Sequence, residues 1–350
     1  MIADSDAARI PQQRALVSEV GGREGVFSLG ESLPLFFGGE LRKVQLAWRL
    51  SGNPSGPTVA ALGGISAGRY VYGEKDEPAG WWDSVVGPHR ALDAARFQIL
   101  GIDYLGGSGA STGPGPAEKN FPSLSAYDQA RVLHLLLQHL NVPTLHAIVG
   151  ASYGGMVALA FAQRYPQSVR RIIVISAADR SHPMSTAWRS VQRAIVRYAA
   201  AKGEGAEGLK LARALAMATY RTPQEFTQRF GDEALRVDQT FRFPVESYLY
   251  ARGDLYASQY IPEAFVCLSE SIDLHRVNPA EIKVPATLIA VREDQLVPLA
   301  DMVALRDTLG GEAELVELSS LYGHDAFLKE SAALQSVFDR VLQPDSSGKR

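Results

Sequence analysis

The chain of 350 residues is 46% hydrophobic and 21% charged, a composition typical of a globular protein and not of a disordered or fibrous one. Its formal net charge of −3 at pH 7 gives no reason to expect nucleic acid or an anionic membrane as a partner. A chain of this length can bury a large core, either as one α/β domain with an insertion or as two domains.

The N-terminal segment and the cysteine content bear on the compartment. Residues 1–24 are predicted to form a loose polar arm without the apolar stretch of a secretory signal. No run approaches about 18 consecutive apolar residues, so no membrane span is expected. The single cysteine, Cys267, excludes an internal disulfide framework and is interpreted as a small buried hydrophobic residue. We therefore expect a soluble cytoplasmic protein.

Short apolar runs and helical patterns alternate along most of the chain. The apolar pieces at residues 26–29 and 33–37 are predicted to form a hairpin. Strands that alternate with helices at this spacing predict a mainly parallel sheet covered by helices on both faces. The predicted strands are residues 44–50, 58–62, 97–104, 145–149, 169–175, 286–291 and 314–318, and the main helices are residues 125–140, 156–162, 299–309 and about 325–342.

This alternation stops after about residue 178. The following segment contains several helical patterns and no clear buried strand, which predicts a helical insertion into the α/β core. The predicted organisation is an N-terminal arm (1–24), an α/β core (25–178 and 276–342), a helical insertion (179–275) and a polar tail (343–350).

Residues 148–156 carry the strongest chemical signal. They contain Gly-Ala-Ser-Tyr-Gly between a predicted strand and a predicted helix, which is the pattern of a nucleophile elbow. The glycines leave room where a strand reverses into a helix. Ser152 at the apex is the predicted nucleophile, and the backbone N–H of Tyr153 is a predicted donor to a developing oxyanion. The alternative interpretation is an ordinary glycine-rich turn.

A serine hydroxyl is a poor nucleophile unless a base takes its proton and a third group orients that base. Of the seven histidines, His324 lies in a loop just after the last predicted strand, from which it can reach the elbow. The carboxylate should follow the preceding strand, where Asp294 is the candidate and Glu293 its rival. The order Ser152, Asp294, His324 along the chain is that of α/β-hydrolases.

Two glycine-containing loops follow the predicted strands 58–62 and 97–104. The first is expected to supply the second oxyanion donor, from the N–H of Leu62 or Gly63, unless its glycines only turn the chain. The second loop, residues 105–114, lacks the Lys-Ser/Thr ending of a phosphate-binding loop. It is predicted to shape the mouth of the site rather than to bind a nucleotide.

Several separate motifs over about residues 40–342 together resemble the homoserine O-acyltransferase family, acyl-CoA-dependent α/β-hydrolase relatives of methionine biosynthesis. The elbow segment Gly-Ala-Ser-Tyr-Gly-Gly-Met is similar to that family's Gly-Gly-Ser-Met-Gly-Gly-Met. Gly63 replaces the threonine of the family's Ala-Leu-Thr-Gly segment. The other similar segments are Trp81-Trp82-Asp83, Val86-Gly87-Pro88, Ala91-Leu92-Asp93, Leu105-Gly106-Gly107, residues 109–114 and, residue for residue, Gly323-His324-Asp325-Ala326-Phe327-Leu328.

The resemblance implies an α/β-hydrolase fold, with a mostly parallel central sheet, helices on both faces and a helical lid over the site. It also implies a homodimer joined through lid helices. The implied reaction is ping-pong acyl transfer, in which Ser152 takes an acyl group from acyl-CoA and passes it to the hydroxyl of an amino acid. Acyl-CoA is then a co-substrate, and no metal or other cofactor is expected.

An amino-acid acceptor needs a cation for its carboxylate and an anion for its ammonium group. Asp325 resembles the family's ammonium-binding aspartate, and Arg213 resembles its substrate arginine. An ordinary solvated helix arginine is the alternative interpretation of Arg213. Arg221 and Arg193 are weaker candidates for the same role.

The identity of the substrates depends on finer features of the resemblance. At the position of Arg189, this chain resembles relatives that use succinyl-CoA, which also carry an arginine there. Leu296 stands where other relatives that use succinyl-CoA carry an arginine and relatives that use acetyl-CoA carry a leucine, and the balance favours succinyl over acetyl. The lid is shorter than usual between residues 199 and 209, and the family's segment at 259–263 is altered. These two departures leave the acceptor open. L-Homoserine is considered first, and L-serine, for cysteine biosynthesis, is considered second.

Two alternatives from other functional classes use the same residues. A carboxyl-ester hydrolase would have the same Ser–His–Asp triad with water as the acceptor. The pair of Arg213 and Asp325 separates the two classes, because a hydrophobic ester pocket does not need it. A non-enzymatic binding module fits poorly, because the serine, the base and the acid are all present.

Overall fold

The computed structural model describes residues 22–74, 77–118, 120–231 and 234–343, together with the backbone of Leu16–Val17. Most of the predicted arm and all of the predicted tail after its first residue lie outside the described residues. In the part of the chain that is described, no helix combines the length and the apolar content that crossing a membrane requires.

One large sheet forms the centre of the molecule and, counted over the described residues, has nine strands. Its inner parallel strands are almost continuous apolar runs, as expected for strands buried on both faces, whereas the last parallel strand, at the edge, contains two glutamates and is only partly buried. The strands are β1 (Leu16–Val17), β2 (Arg23–Ser28), β3 (Gln45–Gly52), β4 (Thr58–Leu62), β5 (Gln98–Ile102), β6 (Ala147–Ala151), β7 (Ile172–Ile175), β8 (Ala286–Val291) and β9 (Ala313–Leu318).

In space the strands follow the order β1-β2-β3-β5-β4-β6-β7-β8-β9. The pairs β1–β2, β2–β3 and β3–β5 are antiparallel, and every neighbouring pair from β5 to β9 is parallel. The predicted mainly parallel sheet is confirmed. The loops after β4, β6, β7, β8 and β9 therefore meet at one edge of the sheet, where α/β proteins place their sites.

Helices surround this sheet and also build the segment between β7 and β8. Nine α-helices occur within the described residues. They are α1 (Ala126–His139), α2 (Tyr153–Arg164), α3 (Pro183–Ala200), α4 (Gly205–Tyr220), α5 (Pro223–Arg229), α6 (Pro244–Ala257), α7 (Pro262–Asp273), α8 (Leu299–Thr308) and α9 (Ser331–Val341).

Alternate residues of the parallel strands pack on opposite faces of the sheet. Ile148 packs on the face that α1, α2 and α8 cover, and Val149 packs on the other face with α9. Residues 71–72 and 82–97 also cover this second face, and they include the short parallel pair Val86–Gly87 and Leu92–Asp93. Each fully buried apolar side chain contributes about 1.5–3 kcal/mol, so this two-sided core fixes the sheet firmly.

The segment between β7 and β8 is the lid. Over its described residues it contains the five helices α3 to α7 and a hairpin of Leu235–Val237 with Thr240–Arg242. The helices pack on one another around a small apolar cluster that includes Val196, Leu209 and Phe265. The hairpin is exposed, so its sequence lacks the apolar run of a buried strand.

The two ends of the lid lie side by side. Arg180 and Arg276 form an antiparallel bridge, and the N–H of Val277 donates to the carbonyl oxygen of Asp179 over 2.9 Å. Paired residues of this kind have Cα atoms about 4.5–5.5 Å apart. The chain therefore leaves the core and returns to it at one place, which we call the lid stem.

The predicted hairpin of residues 26–29 and 33–37 is wrong. The first piece belongs to β2, which pairs over six residues with β3. The second piece pairs only at Leu33–Pro34, with Glu40–Leu41. A strand that joins a large sheet gains more than an isolated two-stranded hairpin, which is marginally stable in water, so the longer-range pairing prevails.

The predicted terminal helix starts later than its sequence pattern indicates. Gly323–Leu328 forms a 3-10 helix, and α9 begins only at Ser331. The tight turns of the 3-10 helix keep this segment against the sheet edge, where His324 is buried.

Candidate active site

Ser152 lies at the sharp turn between β6 and α2. Its backbone has φ +55° and ψ −121°, a conformation that few residues other than glycine adopt. A Cβ at Gly150 would lie 2.3 Å from the carbonyl oxygen of Gly154, and a Cβ at Gly154 would lie 2.2 Å from that of Leu62. Only glycine fits at these two positions, so the predicted elbow is present and its glycines are required by the turn.

His324 reaches the elbow from the 3-10 helix that follows β9. Its Nε2 lies 2.9 Å from Ser152 Oγ, and its Nδ1 lies 2.7 Å from Asp294 Oδ2. The imidazole is buried near the rings of Tyr220 and Phe327, whose centroids lie 5.8 and 6.2 Å from its own. These contacts fix the ring so that Nε2 can accept a proton from the serine hydroxyl.

Asp294 lies in the loop after β8, with its side chain fully buried. Its Oδ1 accepts the backbone N–H groups of Leu296 and Val297 at 2.8 and 3.0 Å, which leaves Oδ2 for the N–H of His324. The rival, Glu293, turns the other way and accepts hydrogen bonds from the loop after β9. The geometry therefore places Asp294, and not Glu293, beside the imidazole.

The pKa of His324 depends on two opposing effects. Burial alone would lower this pKa, because a charged imidazolium loses hydration. The charge and hydrogen bond of Asp294 outweigh burial, with a smaller contribution from Asp325, so the pKa lies above its ordinary value. The raised pKa makes the neutral imidazole a stronger base toward the serine hydroxyl.

The two predicted oxyanion donors lie on either side of Ser152. Tyr153 is the first residue of α2, where backbone N–H groups have no partner within the helix. Leu62 ends β4, directly opposite Gly150 of β6. The next carbonyl group, that of Gly63, accepts the N–H of the elbow's second glycine at 2.9 Å and ties this loop to the turn. The donor roles of Tyr153 and Leu62 stay predictions.

A cavity of about 180 Å³ lies between the sheet edge and the lid, with Ser152 and His324 in its wall. Asp294 lies behind the imidazole, outside this wall. The lid and the core both contribute to the lining. Further lining residues are Trp81, Ser176, Arg189, Arg213, Tyr220 and Asp325.

Arg213 of α4 faces this cavity and stacks on aromatic rings. Its guanidinium carbon lies 5.2 Å from the ring centroid of Tyr220 and 4.7 Å from that of Tyr256. No ion pair with a described residue occupies it, and it is not the solvated helix arginine of the alternative interpretation. A half-buried guanidinium without a carboxylate partner suits an anionic group of a ligand.

Asp325 lines the same cavity but has a partner that the sequence did not predict. Its Oδ2 lies 3.1 Å from Nε of Arg221, and Nη1 of Arg221 lies 3.1 Å from a carboxylate oxygen of Glu225. Arg221 is buried and does not line the cavity. It therefore holds Asp325 from behind, and it is not placed to bind a substrate carboxylate.

Arg189 lines the cavity and shares a carboxylate with a second arginine. Its Nη2 lies 2.7 Å from Oδ1 of Asp273, and Nη1 of Arg193 lies 2.6 Å from Oδ2. Burial alone would raise the pKa of Asp273, but the two arginines outweigh burial and lower it. The cluster of Arg189, Arg193 and Asp273, which we call the α3–α7 cluster, keeps one net positive charge. Arg193 is buried behind the cavity wall and is not placed to bind a substrate.

The residues that surround Arg189 and Arg213 were not predicted from the sequence. The four-residue spacing of Arg189 and Arg193 puts both on one face of α3, and this signal was available. Nothing in the sequence marks Asp273 as their common partner. The stacking of Tyr220 and Tyr256 under an arginine likewise depends on how α4 and α6 pack, which no local pattern shows.

Other predicted features lie beside the site. The loop of residues 105–114 contacts the lid, where Ser108 Oγ accepts the N–H of Ile261 at 3.0 Å. This loop borders a neighbouring cavity of about 300 Å³ that shares Trp81 with the first. Cys267 is buried in the main core cluster, as predicted. Among the described His, Cys, Asp and Glu side chains, no group of three converges in a way that would hold a metal ion.

Residues 64–331 match the family described as alpha/beta hydrolase fold. Homoserine O-succinyltransferase of Xanthomonas campestris is 39% identical over 89% of this chain and 82% of its own length. Homoserine O-acetyltransferase of Symbiobacterium thermophilum is 34% identical over 89% and 92%. Serine O-succinyltransferase of Litchfieldella anticariensis is 33% identical over 89% and 96%.

Solved structures share the fold at lower identity. Homoserine O-acetyltransferase from Bacillus anthracis superposes with a TM-score of 0.83 at 19% identity, over 93% of this chain and 99% of that one. Esterase E22 superposes with a TM-score of 0.81 at 22% identity, over 92% and 100%. The fold is thus common to a transferase and an esterase, and it does not choose between these activities.

The relatives of similar sequence differ from one another in the acyl donor and the acceptor that their names state. The names give succinyl or acetyl as the transferred group, and homoserine or serine as the acceptor. An identity of 39% that extends over most of both chains agrees with the motifs from the elbow to the Gly-His-Asp-Ala-Phe-Leu segment. The chain belongs to the homoserine O-acyltransferase family of α/β-hydrolases.

Proposed function

We propose that this protein is an acyl-CoA-dependent O-acyltransferase that transfers an acyl group to the side-chain hydroxyl of L-homoserine through acyl-Ser152. The observation that carries the proposal is the hydrogen-bonded triad of Ser152, His324 and Asp294 beside a cavity. Ser152 lines this cavity together with Arg213 and Asp325. An activated serine supports an ester intermediate. A cation and an anion in one cavity match a zwitterionic amino acid. The product would be an activated homoserine ester for methionine biosynthesis.

The first half-reaction loads the enzyme. Ser152 Oγ attacks the thioester carbonyl carbon while Nε2 of His324 takes its proton. The N–H groups of Tyr153 and Leu62 stabilise the negative oxygen of the tetrahedral intermediate. The C–S bond then breaks, CoA leaves as the thiol with the proton from His324, and the acyl group remains on the serine. Asp294 keeps Nδ1 protonated and stabilises the imidazolium.

The second half-reaction passes the acyl group on. The hydroxyl of homoserine gives its proton to His324 and attacks the ester carbonyl carbon, and the bond to Ser152 breaks as His324 returns a proton to Oγ. Arg213 binds the substrate carboxylate and Asp325 its ammonium group, so the hydroxyl is held near the ester. The only molecules consumed are acyl-CoA and the amino acid, with no metal or other cofactor in either step.

The α3–α7 cluster supports a succinyl donor over an acetyl donor. The cluster carries one net positive charge next to the cavity. A succinyl group ends in a free carboxylate, which can neutralise this charge, whereas an acetyl group has none. Leu296 also lines the cavity, and acetyl is therefore the second donor considered. L-Serine is the second acceptor, because it differs from homoserine by one methylene, which a pocket discriminates by only about 10–200-fold.

A carboxyl-ester hydrolase remains the alternative from a different class. The same three side chains would hydrolyse an ester if water reached the acyl-enzyme in place of an amino acid. Arg213 and Asp325 are the discriminating residues, since two charged groups in the cavity wall disfavour a purely apolar ester.

The test is product analysis with two donors and two acceptors. Purified protein is incubated with succinyl-CoA or acetyl-CoA, with and without L-homoserine or L-serine, and the products are identified by mass spectrometry. We expect O-succinyl-L-homoserine as the main product and an acylated Ser152 peptide when the acceptor is omitted. CoA release at equal rates with and without acceptor, and no acyl-amino acid, would identify a hydrolase. O-Acylserine as the main product would replace homoserine as the acceptor.

We further propose that the protein is a cytoplasmic homodimer joined through its lid. Large apolar side chains are exposed there, with Tyr198 at 67%, Phe241 at 61% and Leu235 at 58%, and a second copy would remove this surface from water. Light scattering should give twice the chain mass of 37.9 kDa. Phe241→Glu should give monomers, whereas Phe37→Glu, at a residue 51% exposed outside the lid, should not. A monomeric wild-type protein would refute the dimer.

A further inference from the structure

Ser176 lies directly after β7, next to the turn that carries the nucleophile. The carbonyl oxygen of the preceding residue, Ile175, accepts the N–H of Ser152 at 2.8 Å, and the N–H of Ser176 donates to the carbonyl oxygen of Ile289 in β8 at 3.0 Å. Its side chain lines the same cavity as Ser152. The acyl-transfer steps described above give this residue no task.

Two features of Ser176 are unfavourable for the fold. Its φ is +50°, a left-handed conformation that is strained for a serine. The residue is only 1% exposed, and its Oγ has no hydrogen-bond partner among the described residues. Leaving a buried hydroxyl unpaired is costly. Both costs fall on one residue in the cavity wall, and the hydroxyl is therefore free to bond an atom that enters the cavity.

The neighbouring serines of this cavity do not share this property. Ser185 Oγ donates to a backbone carbonyl oxygen at 2.7 Å, and Ser181 Oγ donates to a carboxylate at 3.2 Å. Ser269 Oγ accepts a hydrogen bond from an arginine at 3.0 Å. Their hydroxyls serve the protein itself, whereas that of Ser176 is available to a ligand.

The sheet order indicates which part of a ligand would meet Ser176. Strands β4 and β7 flank β6 on opposite sides. The proposed oxyanion donor Leu62 ends β4, so the carbonyl oxygen of an acyl group on Ser152 points toward that side. With the carbonyl oxygen on that side, the acyl chain would extend to the β7 side, where Ser176 and Arg189 line the same cavity.

We propose that the Ser176 hydroxyl donates a hydrogen bond to the terminal carboxylate of a dicarboxylic acyl group carried on Ser152. This inference rests on the proposed acyl transfer and deepens it by naming a residue that selects the donor class. The α3–α7 cluster supplies the neutralising charge, because two cations there share one carboxylate. An acetyl group ends in a methyl group, which accepts no hydrogen bond, so it would leave the hydroxyl unpaired.

The test compares two donors in variants that lack the hydroxyl. Ser176→Ala and Ser176→Gly are assayed with succinyl-CoA and with acetyl-CoA at saturating homoserine. We expect kcat/KM for succinyl-CoA to fall about 10- to 100-fold, since a hydrogen bond to a charged group is lost, and kcat/KM for acetyl-CoA to change less than about threefold. Ser185→Ala is the matched control, because it removes a hydroxyl that already has a protein partner. The ratio of the two donors should not change in that variant.

Thermal unfolding separates this role from a structural one. Glycine adopts φ +50° without strain and carries no unpaired hydroxyl, so Ser176→Gly should raise Tm or leave it unchanged. A lower Tm with equal losses on both donors would overturn the inference. So would a wild-type preference for acetyl-CoA, although acyl transfer itself would then stand. Absence of an acyl-Ser152 peptide with either donor would instead overturn the proposed function, and the inference with it.

Discussion

The sheet edge and the lid supply the two halves of the candidate site and are built in different ways. At the sheet edge, Ser152, Asp294 and His324 follow the parallel strands β6, β8 and β9 and meet through contacts of 2.9 and 2.7 Å. In the lid, charged side chains pair across helices, as Arg189 does with Asp273 at 2.7 Å. Strand register fixes the first set, and helix packing fixes the second. Substitutions in the lid can therefore alter its contacts with a substrate while the strands that carry the triad stay in place.

Removal of the nucleophile should give the largest effect, and it tests whether the sheet edge carries the chemistry. Ser152→Ala should lower kcat by about 10⁴- to 10⁶-fold. The fold should persist with little change in Tm, because the variant keeps the Cβ and deletes one hydroxyl at the surface of the cavity. CoA release, followed with a thiol reagent, measures the rate. Turnover near the wild-type rate would remove Ser152 from the mechanism.

Two neighbouring carboxylates sharpen the comparison within one loop of the sheet edge. Asp294→Asn should lower kcat about 10³- to 10⁴-fold, because an amide does not hold the imidazole in the required tautomer. Glu293→Gln should remain close to wild type, since this side chain bonds to Ser319 and Ser320 instead. Steady-state kinetics with saturating acyl-CoA measures both variants. Equal losses would mean that this geometry does not identify the acid.

On the lid side, Arg213 and Lys210 lie one turn apart on α4 in different surroundings. Arg213→Met should raise KM for the amino acid about 10- to 100-fold through loss of a charge-assisted bond. The burst of CoA release without acceptor should stay unchanged, because the first half-reaction does not use this cation. Lys210→Met, which breaks a surface ion pair with Asp254 of 2.9 Å, should affect neither. A burst slowed as strongly as overall turnover would assign Arg213 to the donor site and break the comparison.

The smallest expected effect is a shift along the pH axis. Burial lowers the pKa of His324, but Asp294 raises it more and Asp325 adds to the rise. Since the base must be neutral, kcat/KM should fall as the pH drops through this raised pKa, with a midpoint above about 6.5. Asp325→Asn should move the midpoint to lower pH by removing a negative charge. A rate profile from about pH 5 to 9 measures it, and a wild-type midpoint below the ordinary imidazole value would contradict the assignment.

The sheet-edge residues could be predicted from the sequence because their signals are local. Each of these residues follows an apolar run of strand length. The elbow glycines and Asp294 come directly after their runs, and His324 comes a few residues after its own. Parallel strands then bring the three loops to the same edge without further information. The roles of Arg213 and Asp325 came only from family resemblance, since neither residue stands out by pattern.

The pairings in the lid could not be predicted, because they join residues far apart in sequence. Arg189 and Asp273 are separated by 84 positions, and the packing of α3 on α7 alone brings them together. The wrong hairpin has the same origin, because β2 chooses its partner by the sheet that it joins and not by the nearest apolar run. Local composition indicates which segments are strands or helices, and the whole fold decides which of them meet.

The lid stem bears on how this protein can change over evolutionary time. Because Arg180 and Arg276 face each other in a single bridge, the chain leaves β7 and returns toward β8 at one place. Changes of length at exposed turns of the lid, such as its hairpin, can be tolerated without moving the strands that carry the serine and the carboxylate. The contacts that the lid makes with a donor or an acceptor can thus change within one continuous stretch of gene, while the serine, the histidine and the carboxylate stay in place.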